Sequence, residues 1–173
     1  MDAVNLIPPD DSMEIAVLEF VQEFLERNET TVFGSVLLDT GLVSYREWLK
    51  ALSLCDKKNH IPSIRETCVF VAKNTEDVIV GIGCIRRKIQ YDDYLRGDIE
   101  FSVRPSMRNK GAATEILRQL LNIAALQGRK SVMLLCSQGN EAARKTILKC
   151  GGKPPRIAPY EETEKETYVI ELS

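Results

Sequence analysis

Residues 108–114 read Arg-Asn-Lys-Gly-Ala-Ala-Thr, between a strand-like "FSVRP" and a helix-like "EILRQLLNIAAL". The first turn of a helix leaves backbone N–H groups unpaired and carries the positive end of the helix dipole. It therefore holds phosphate wherever side chains leave room. Gly111, Ala112 and Ala113 leave that room, Arg108 and Lys110 add positive charge, and Thr114 offers a hydroxyl. A ligand with a pyrophosphate would use all of these together. A helix start with small residues for close packing is the alternative that these residues leave open. The stretch is not a P-loop, whose Gly-x-x-x-x-Gly-Lys-Ser/Thr spacing is absent, and with one glycine it is not a dinucleotide fingerprint.

The elements that must position this stretch follow from periodicity. "NLIPP" (5–9) reads as a short edge strand stopped by proline. Asp11 or Ser12 caps a helix to about Arg27, with Val17, Phe20, Val21, Phe24 and Leu25 on one face. Ser44 caps a second helix, with Tyr45, Trp48, Leu49 and Leu52 together. "TCVFVAK" (67–73) and "VIVGIGCIRRKI" (78–89), joined by the turn signal "NTED", predict an antiparallel hairpin. "DIEFSV" (98–103) is a further strand, ended at Pro105. The helix after the glycine presents Ile116, Leu117, Leu120, Leu121, Ala124 and Ala125, and Gly128 ends it. "SVMLLC" (131–136) predicts a strand buried on both faces. Asn140 caps a last helix with Ala143, Thr146, Ile147 and Cys150 on one face. "TYVIEL" (167–172) alternates as the final strand, and the acidic 161–166 reads as a solvated turn. The strand–helix–strand crossover from Asp98 to Cys136 makes those two strands parallel or nearly adjacent.

Composition narrows the function classes. The 173 residues, 44% apolar and 28% charged, suit one soluble domain over 1–173. With 23 basic against 25 acidic residues the net charge is −2, which argues against bulk nucleic-acid binding. No run approaches a membrane span, and the start of the chain has no apolar signal core, so a cytoplasmic protein without a membrane partner is expected. The five cysteines are odd in number and form no Cys-x-x-Cys pair, as expected of reduced thiols. One histidine, His60, leaves no Cys-His zinc site and makes a Ser-His-Asp triad a poor fit, so no metal is expected.

"VRPSMRNKGAATEIL" resembles the coenzyme A-binding motif of the GNAT superfamily of N-acetyltransferases, Arg/Gln-x-x-Gly-x-Gly/Ala after a strand ending Val-x-Pro. Arg108, Gly111 and Ala113 fill its three fixed places. "VIVGIGCIR" resembles the family's preceding strand and "NEAARKTILKCGG" its later helix, so the likeness covers roughly 67–152. The run with "SVRPS" is similar to a bacterial subgroup of acetyltransferases. The resemblance implies an α/β (α+β) fold in one GNAT-like domain. Its mixed, mostly antiparallel sheet would hold about six to seven strands with about four helices, and its central parallel strands would splay. It implies acetyl-CoA as cosubstrate. The amides of Asn109, Lys110, Gly111, Ala112, Ala113 and Thr114, flanked by Arg108, would hold the pyrophosphate. The strand end Phe101, Ser102 and Val103 would pair with the pantetheine arm, and Asn140 would stand on its other side.

Acetyl transfer to an amine requires removal of a proton from a group whose pKa is about 10.4, and stabilisation of charge on the thioester oxygen. Asp98 and Glu100, two apart on a strand and so on one face, are the candidate bases. Asp98 stands first by its alignment with an acidic position in one branch of the family. The Val103 N–H is the candidate for the oxygen. Many relatives place a Tyr seven residues after the Asn, where this chain has Ile147. Tyr168 is the candidate substitute acid, with packing as its alternative role. The expected acceptor is a primary amine of a small molecule or peptide, contacted by the N-terminal helices and the 56–66 and 90–97 loops, with Tyr45, Trp48, Tyr91, Tyr94, Asp92 and Asp93. The competing reading is an acyl-CoA-binding module or sensor with little turnover. Either fits a monomer or a homodimer.

Overall fold

The β-branched runs on either side of "NTED" form the hairpin that their alternation predicts. The computed structural model describes residues 3–53, 67–86, 97–153 and 165–172. In it β2 (Thr67–Lys73) pairs antiparallel with β3 (Ile79–Arg86). Asn74 Oδ1 shapes their turn by accepting from the N–H groups of Glu76 and Val78. β1 (Asn5–Ile7) joins the far edge of β2, and β4 (Ile99–Val103) joins β3, giving the order β1-β2-β3-β4. β5 (Ser131–Ser137) and β6 (Lys165–Glu171) make a separate antiparallel pair. Among the described residues the mixed α/β fold thus has six strands in two antiparallel sheets and four α-helices.

Helices cover both faces of the larger sheet. α1 (Glu14–Leu25) and α2 (Tyr45–Ser53) bury Val17, Phe20, Phe24, Tyr45 and Trp48 against Val69, Val71, Ile82 and Cys84. α3 (Ala112–Leu126) buries Ile116, Leu117, Leu120 and Ala124 on the opposite face, against Ile85, Ile99, Val132 and Leu134, and α4 (Glu141–Lys149) adds Ile147. The glycines of "VGIGC" let α3 lie directly on β3. A Cβ at Gly81 would stand 2.5 Å from Ile116 Cδ1, and one at Gly83 would stand 2.8 Å from Leu120 Cδ1. That close seat fixes the first turn of α3 at the end of β4.

Several details differ from the sequence expectation. Asp10, not Asp11 or Ser12, starts the first helical segment: its carboxylate accepts from Ser12 N–H and opens a 3-10 turn, Asp11–Met13, ahead of α1. On α2 the fully packed set is Tyr45, Trp48 and Ala51, while Leu49 and Leu52 are half-buried. Its predicted cap holds, with a capping box in which Ser44 N–H donates to the Glu47 carboxylate and Glu47 N–H to Ser44 Oγ. β5 is fully buried on one face only, through Val132, Leu134 and Cys136. Met133 and Leu135, on the other side of the strand, are half-buried. β6 begins at Lys165, so the end of the acidic 161–166 run is strand, paired with β5. Cys55, His60 and the expected acceptor contacts Tyr91, Asp92, Asp93 and Tyr94 lie outside the described residues.

Candidate active site

β4 and β5 run side by side because α3 crosses between them, yet they touch at one point. Asp98 N–H donates to Met133 O at 2.7 Å, and Met133 N–H donates to Asp98 Oδ2 at 2.6 Å. Arg129 Nη1 lies 2.7 Å from Asp98 Oδ1. Beyond this contact the strands diverge. The open cleft between them is lined by Glu100 and Phe101 on one side and Leu135, Ser137 and Asn140 on the other.

Hydrogen-bond parity shows which backbone groups face this cleft. Arg86 N–H donates to Asp98 O and Arg104 N–H to Val80 O, and the β3–β4 register between them is unbroken. Antiparallel residues alternate between facing the partner strand and facing away. The even residues of β4 therefore bond to β3, while the N–H and C=O groups of Ile99, Phe101 and Val103 turn toward β5. On the other side Leu172 N–H donates to Lys130 O, so even residues of β5 bond to β6 and Met133, Leu135 and Ser137 turn toward β4. Val103 O accepts from Arg108 Nε and Ser137 O from Asn140 N–H. Among the described residues the N–H groups of Ile99, Phe101, Val103 and Leu135 have no partner. Two strand edges with unpaired amides, facing each other, suit an extended amide-containing ligand. Ser102, expected beside such a ligand, instead turns its backbone to β3, opposite Ile82.

The turn at the top of β4 leaves a run of backbone N–H groups open. Asn109 and Gly111 have left-handed backbone, φ 63° and 87°, and α3 follows with no side-chain cap. The first bonds into the helix are Thr114 N–H to Gly111 O and Glu115 N–H to Gly111 O. Among the described residues the N–H groups of Asn109 through Ala113 are therefore without acceptors, while that of Thr114 is used within the helix. Alternating left- and right-handed residues turn consecutive N–H groups to one side. Arg108 differs from its expected role as a flanking charge for the ligand. Its guanidinium is bidentate to Glu29, at 2.7 and 2.6 Å, and stands 5.4 Å over the Phe24 ring. Ser106 N–H and Arg104 likewise engage Glu23. These side chains tie the turn to α1.

The candidate proton-transfer groups are dispersed. Asp98 is buried at the vertex, with both oxygens engaged. Glu100 lines the cleft, and its Oε2 pairs with Arg86 at 2.7 Å while Oε1 has no partner among the described residues. Tyr168 is buried on β6, opposite Leu134, and its hydroxyl donates to Glu166. Burial first, then the Glu166 carboxylate, pushes this phenol up to about 12. Ile147 lines the cleft as a buried aliphatic residue. Cys136 also lines it, and burial, then Glu166, raises its thiol to about 11, far from a reactive thiolate. Asn140 caps α4 through Oδ1, which accepts from Ala143 N–H, and so stands at the cleft wall.

Sequence reasoning missed Phe33, which lines the cleft from the loop after α1. That loop lies on the sheet: a Cβ at Gly34 would be 2.9 Å from Gly83 Cα and 3.0 Å from Glu100 O. Trp48 Nε1–H donating to Ser35 O, and Asp39 accepting from Val32 N–H and Ser35 Oγ, hold it there. The "TVFGSV" run carried a signal in its glycine beside an aromatic, but no periodicity to place it. Among the described residues no helix is long and apolar enough to cross a membrane.

Comparison with known proteins agrees with this geometry. Residues 8–153 match the family described as acetyltransferase (GNAT) domain. No curated protein matches the chain in sequence. Among solved structures, the microcin C7 self-immunity acetyltransferase MccE, in complex with acetyl-CoA and AMP, is similar with a TM-score of 0.69 at 12% identity, covering 99% of this chain and 94% of that one. RimJ of Mycobacterium smegmatis, in complex with CoA-disulfide, is similar with a TM-score of 0.68 at 15% identity, over 97% and 81% of the two chains. The spermidine/spermine N-acetyltransferase SpeG from Vibrio cholerae is similar with a TM-score of 0.61 at 13% identity, over 97% and 93%. At these identities the likeness is one of fold.

Proposed function

The chain belongs to the GNAT acetyltransferase family and is an acyltransferase, and from that premise we propose that residues 1–173 act as one acetyl-CoA-dependent N-acetyltransferase domain. The acceptor in this reading is a primary amine of a small molecule or peptide. The observation that carries it is the pair of diverging strands whose unpaired amides face each other, below a turn with five free N–H groups. The residues present fit the coenzyme. Asn109 through Ala113 would hold the pyrophosphate, helped by the exposed Lys110. Phe101 and Val103, facing Leu135, would pair with the amides of the pantetheine arm, and Asn140 would flank it.

The bound coenzyme supplies an activated acyl thioester. The Val103 N–H, turned toward β5 with no partner among the described residues, would donate to the thioester oxygen and stabilise charge as it grows there. Glu100, at the cleft wall with Oε1 available, removes a proton from the amine directly or through one water. Arg86, held by Gly97 O as well as by Glu100, fixes that carboxylate in place. Asp98 ranks below Glu100 as the base because its two oxygens are committed at the vertex. Tyr168 ranks below solvent as the acid because its hydroxyl is committed to Glu166. A thiol of ordinary pKa about 8.5 leaves as thiolate without a dedicated acid, which suits an aliphatic Ile147 at the cleft wall.

The engaged states of Glu100 and Tyr168 favour a second reading, a coenzyme-binding module with little turnover. Two measurements separate the readings. Acetyl-CoA at a hundredfold over its Kd should stabilise the protein by about 2.7 kcal/mol, and the absence of any thermal shift at millimolar acetyl-CoA would overturn both. Release of free thiol with a panel of amines then identifies the enzyme. Binding without release on any amine favours the module.

A further inference from the structure

Asp98 lies outside the cleft lining, yet it stands where the cleft begins. Neighbouring parallel strands extend their pairing by alternating N–H and C=O bonds, residue after residue. Met133 turns both its groups toward β4, and Asp98 takes both: its N–H donates to Met133 O, and its Oδ2 accepts from Met133 N–H. The carboxylate thus takes the Met133 N–H on the side of this contact away from the cleft and ties β4 to β5 at the vertex, while Asp98 O, the acceptor that would carry the ladder on to Leu135 N–H, turns instead to Arg86 N–H. Arg129 holds the other oxygen at 2.7 Å and fixes the side chain, which is 8% exposed. The chain passes close to β5 here only because Gly97, at φ 74°, has no side chain; a Cβ would stand 2.8 Å from Leu135 Cδ1. One residue later the bonds stop, and Ile99, Phe101 and Val103 face Leu135 across open space.

We propose that the Asp98 carboxylate is a positioning group that pins the vertex where β4 and β5 meet and so sets the width of the cleft for the pantetheine arm. The proposal rests on the coenzyme reading above. Unpaired strand edges pair readily unless something prevents it. Removing the carboxylate leaves Met133 N–H without its acceptor and β4 tied to β5 by one backbone bond, so the spacing of the groups that would meet the arm is no longer fixed. The side chain acts on the ligand only through strand spacing.

The test compares acetyl-CoA with 3′-phospho-ADP, the nucleotide half that lacks the arm, by calorimetry on the wild type, Asp98→Ala and Asp98→Asn. Asp98→Ala should weaken acetyl-CoA about tenfold or more and leave 3′-phospho-ADP within about twofold. Asp98→Asn, which keeps an acceptor for Met133 N–H, should restore acetyl-CoA affinity to within about threefold of the wild type. General loss of structure would weaken both ligands together, and that result, or no loss of acetyl-CoA affinity in Asp98→Ala, overturns the proposal. Amide exchange by NMR on the wild type decides the matter even where Asp98→Ala does not fold. The Met133 amide should be protected in the free protein, while those of Phe101, Val103 and Leu135 exchange fast until acetyl-CoA is added. Protection of these three before ligand overturns it. A wild type that binds no acetyl-CoA overturns the coenzyme reading instead, and its exchange pattern still judges the role of Asp98.

Discussion

The two ends of β4 use polar groups in opposite ways. At Asp98 the backbone N–H and C=O and both carboxylate oxygens are bound, to Met133, Arg86 and Arg129. At the other end the basic side chains Arg104 and Arg108 are bound to acids of the α1 segment, while five consecutive N–H groups are left without acceptors among the described residues. One end is closed and the other is polar but open. Of the two cations that look most like phosphate ligands in the sequence, Arg108 is engaged by Glu29 while Lys110 stays exposed, and the backbone carries the open donors. Such an arrangement holds a ligand by fixed dipoles rather than by mobile side chains, so little has to reorganise when it binds.

The largest expected effect falls between the two ends, at Glu100. Glu100→Gln should lower kcat on an accepted amine by about a hundredfold or more, the scale of a general base, while the Kd for acetyl-CoA stays within about twofold. Steady-state rates with calorimetry check this. An equal fall in coenzyme affinity would mean that the Glu100–Arg86 pair holds the strand rather than the proton. Next comes the open end. Gly111 has a left-handed backbone, where a β-branched side chain is strained, and it sits among the free amides. Gly111→Val should weaken acetyl-CoA on the order of a hundredfold, equivalent to losing one or two hydrogen bonds to charged oxygens. A variant that folds and binds as tightly as the parent would remove the pyrophosphate from this turn.

The sequence revealed the open end far better than the closed one. Gly111 and its small neighbours break helix periodicity in a short stretch, so their purpose can be read locally. The hairpin, the α3 stripe and the Ser44 cap were legible for the same reason, since each depends on residues within a few positions. The role of Asp98 depends on Met133 and Arg129, more than thirty positions away, and no local pattern encodes that meeting. On a regular strand Asp98 and Glu100 look interchangeable. The bend that turns Asp98 N–H toward β5 separates a closed carboxylate from one at the cleft. The commitment of Arg108 to Glu29 was equally hidden, because Glu29 lies in an irregular segment with no period to mark it.

The smallest effect on binding should come from Glu29, and it tests whether side chains at the open end are structural. Both members of the Glu29–Arg108 pair are more than a third exposed, so solvent screening leaves the bidentate contact about 1 kcal/mol at most. Glu29→Gln should cost about that much in denaturant unfolding and change the acetyl-CoA Kd less than about threefold. Hydrogen bonds from Arg108 hold the Glu29 carboxyl below its ordinary value of 4.5. A carboxyl lowered on folding adds stability above its unfolded pKa, and this is lost as pH falls through the folded one. The stability difference between wild type and Glu29→Gln should therefore be flat at neutral pH and shrink on acidification below that ordinary value. A constant difference down to strong acid would mean that the variant acts by packing on Phe24 rather than through charge. A tenfold or larger change in acetyl-CoA affinity, in either direction, would show that freeing Arg108 changes how phosphate is held. The division between occupied side chains and open backbone would then fail at the end of β4 where it is drawn most sharply.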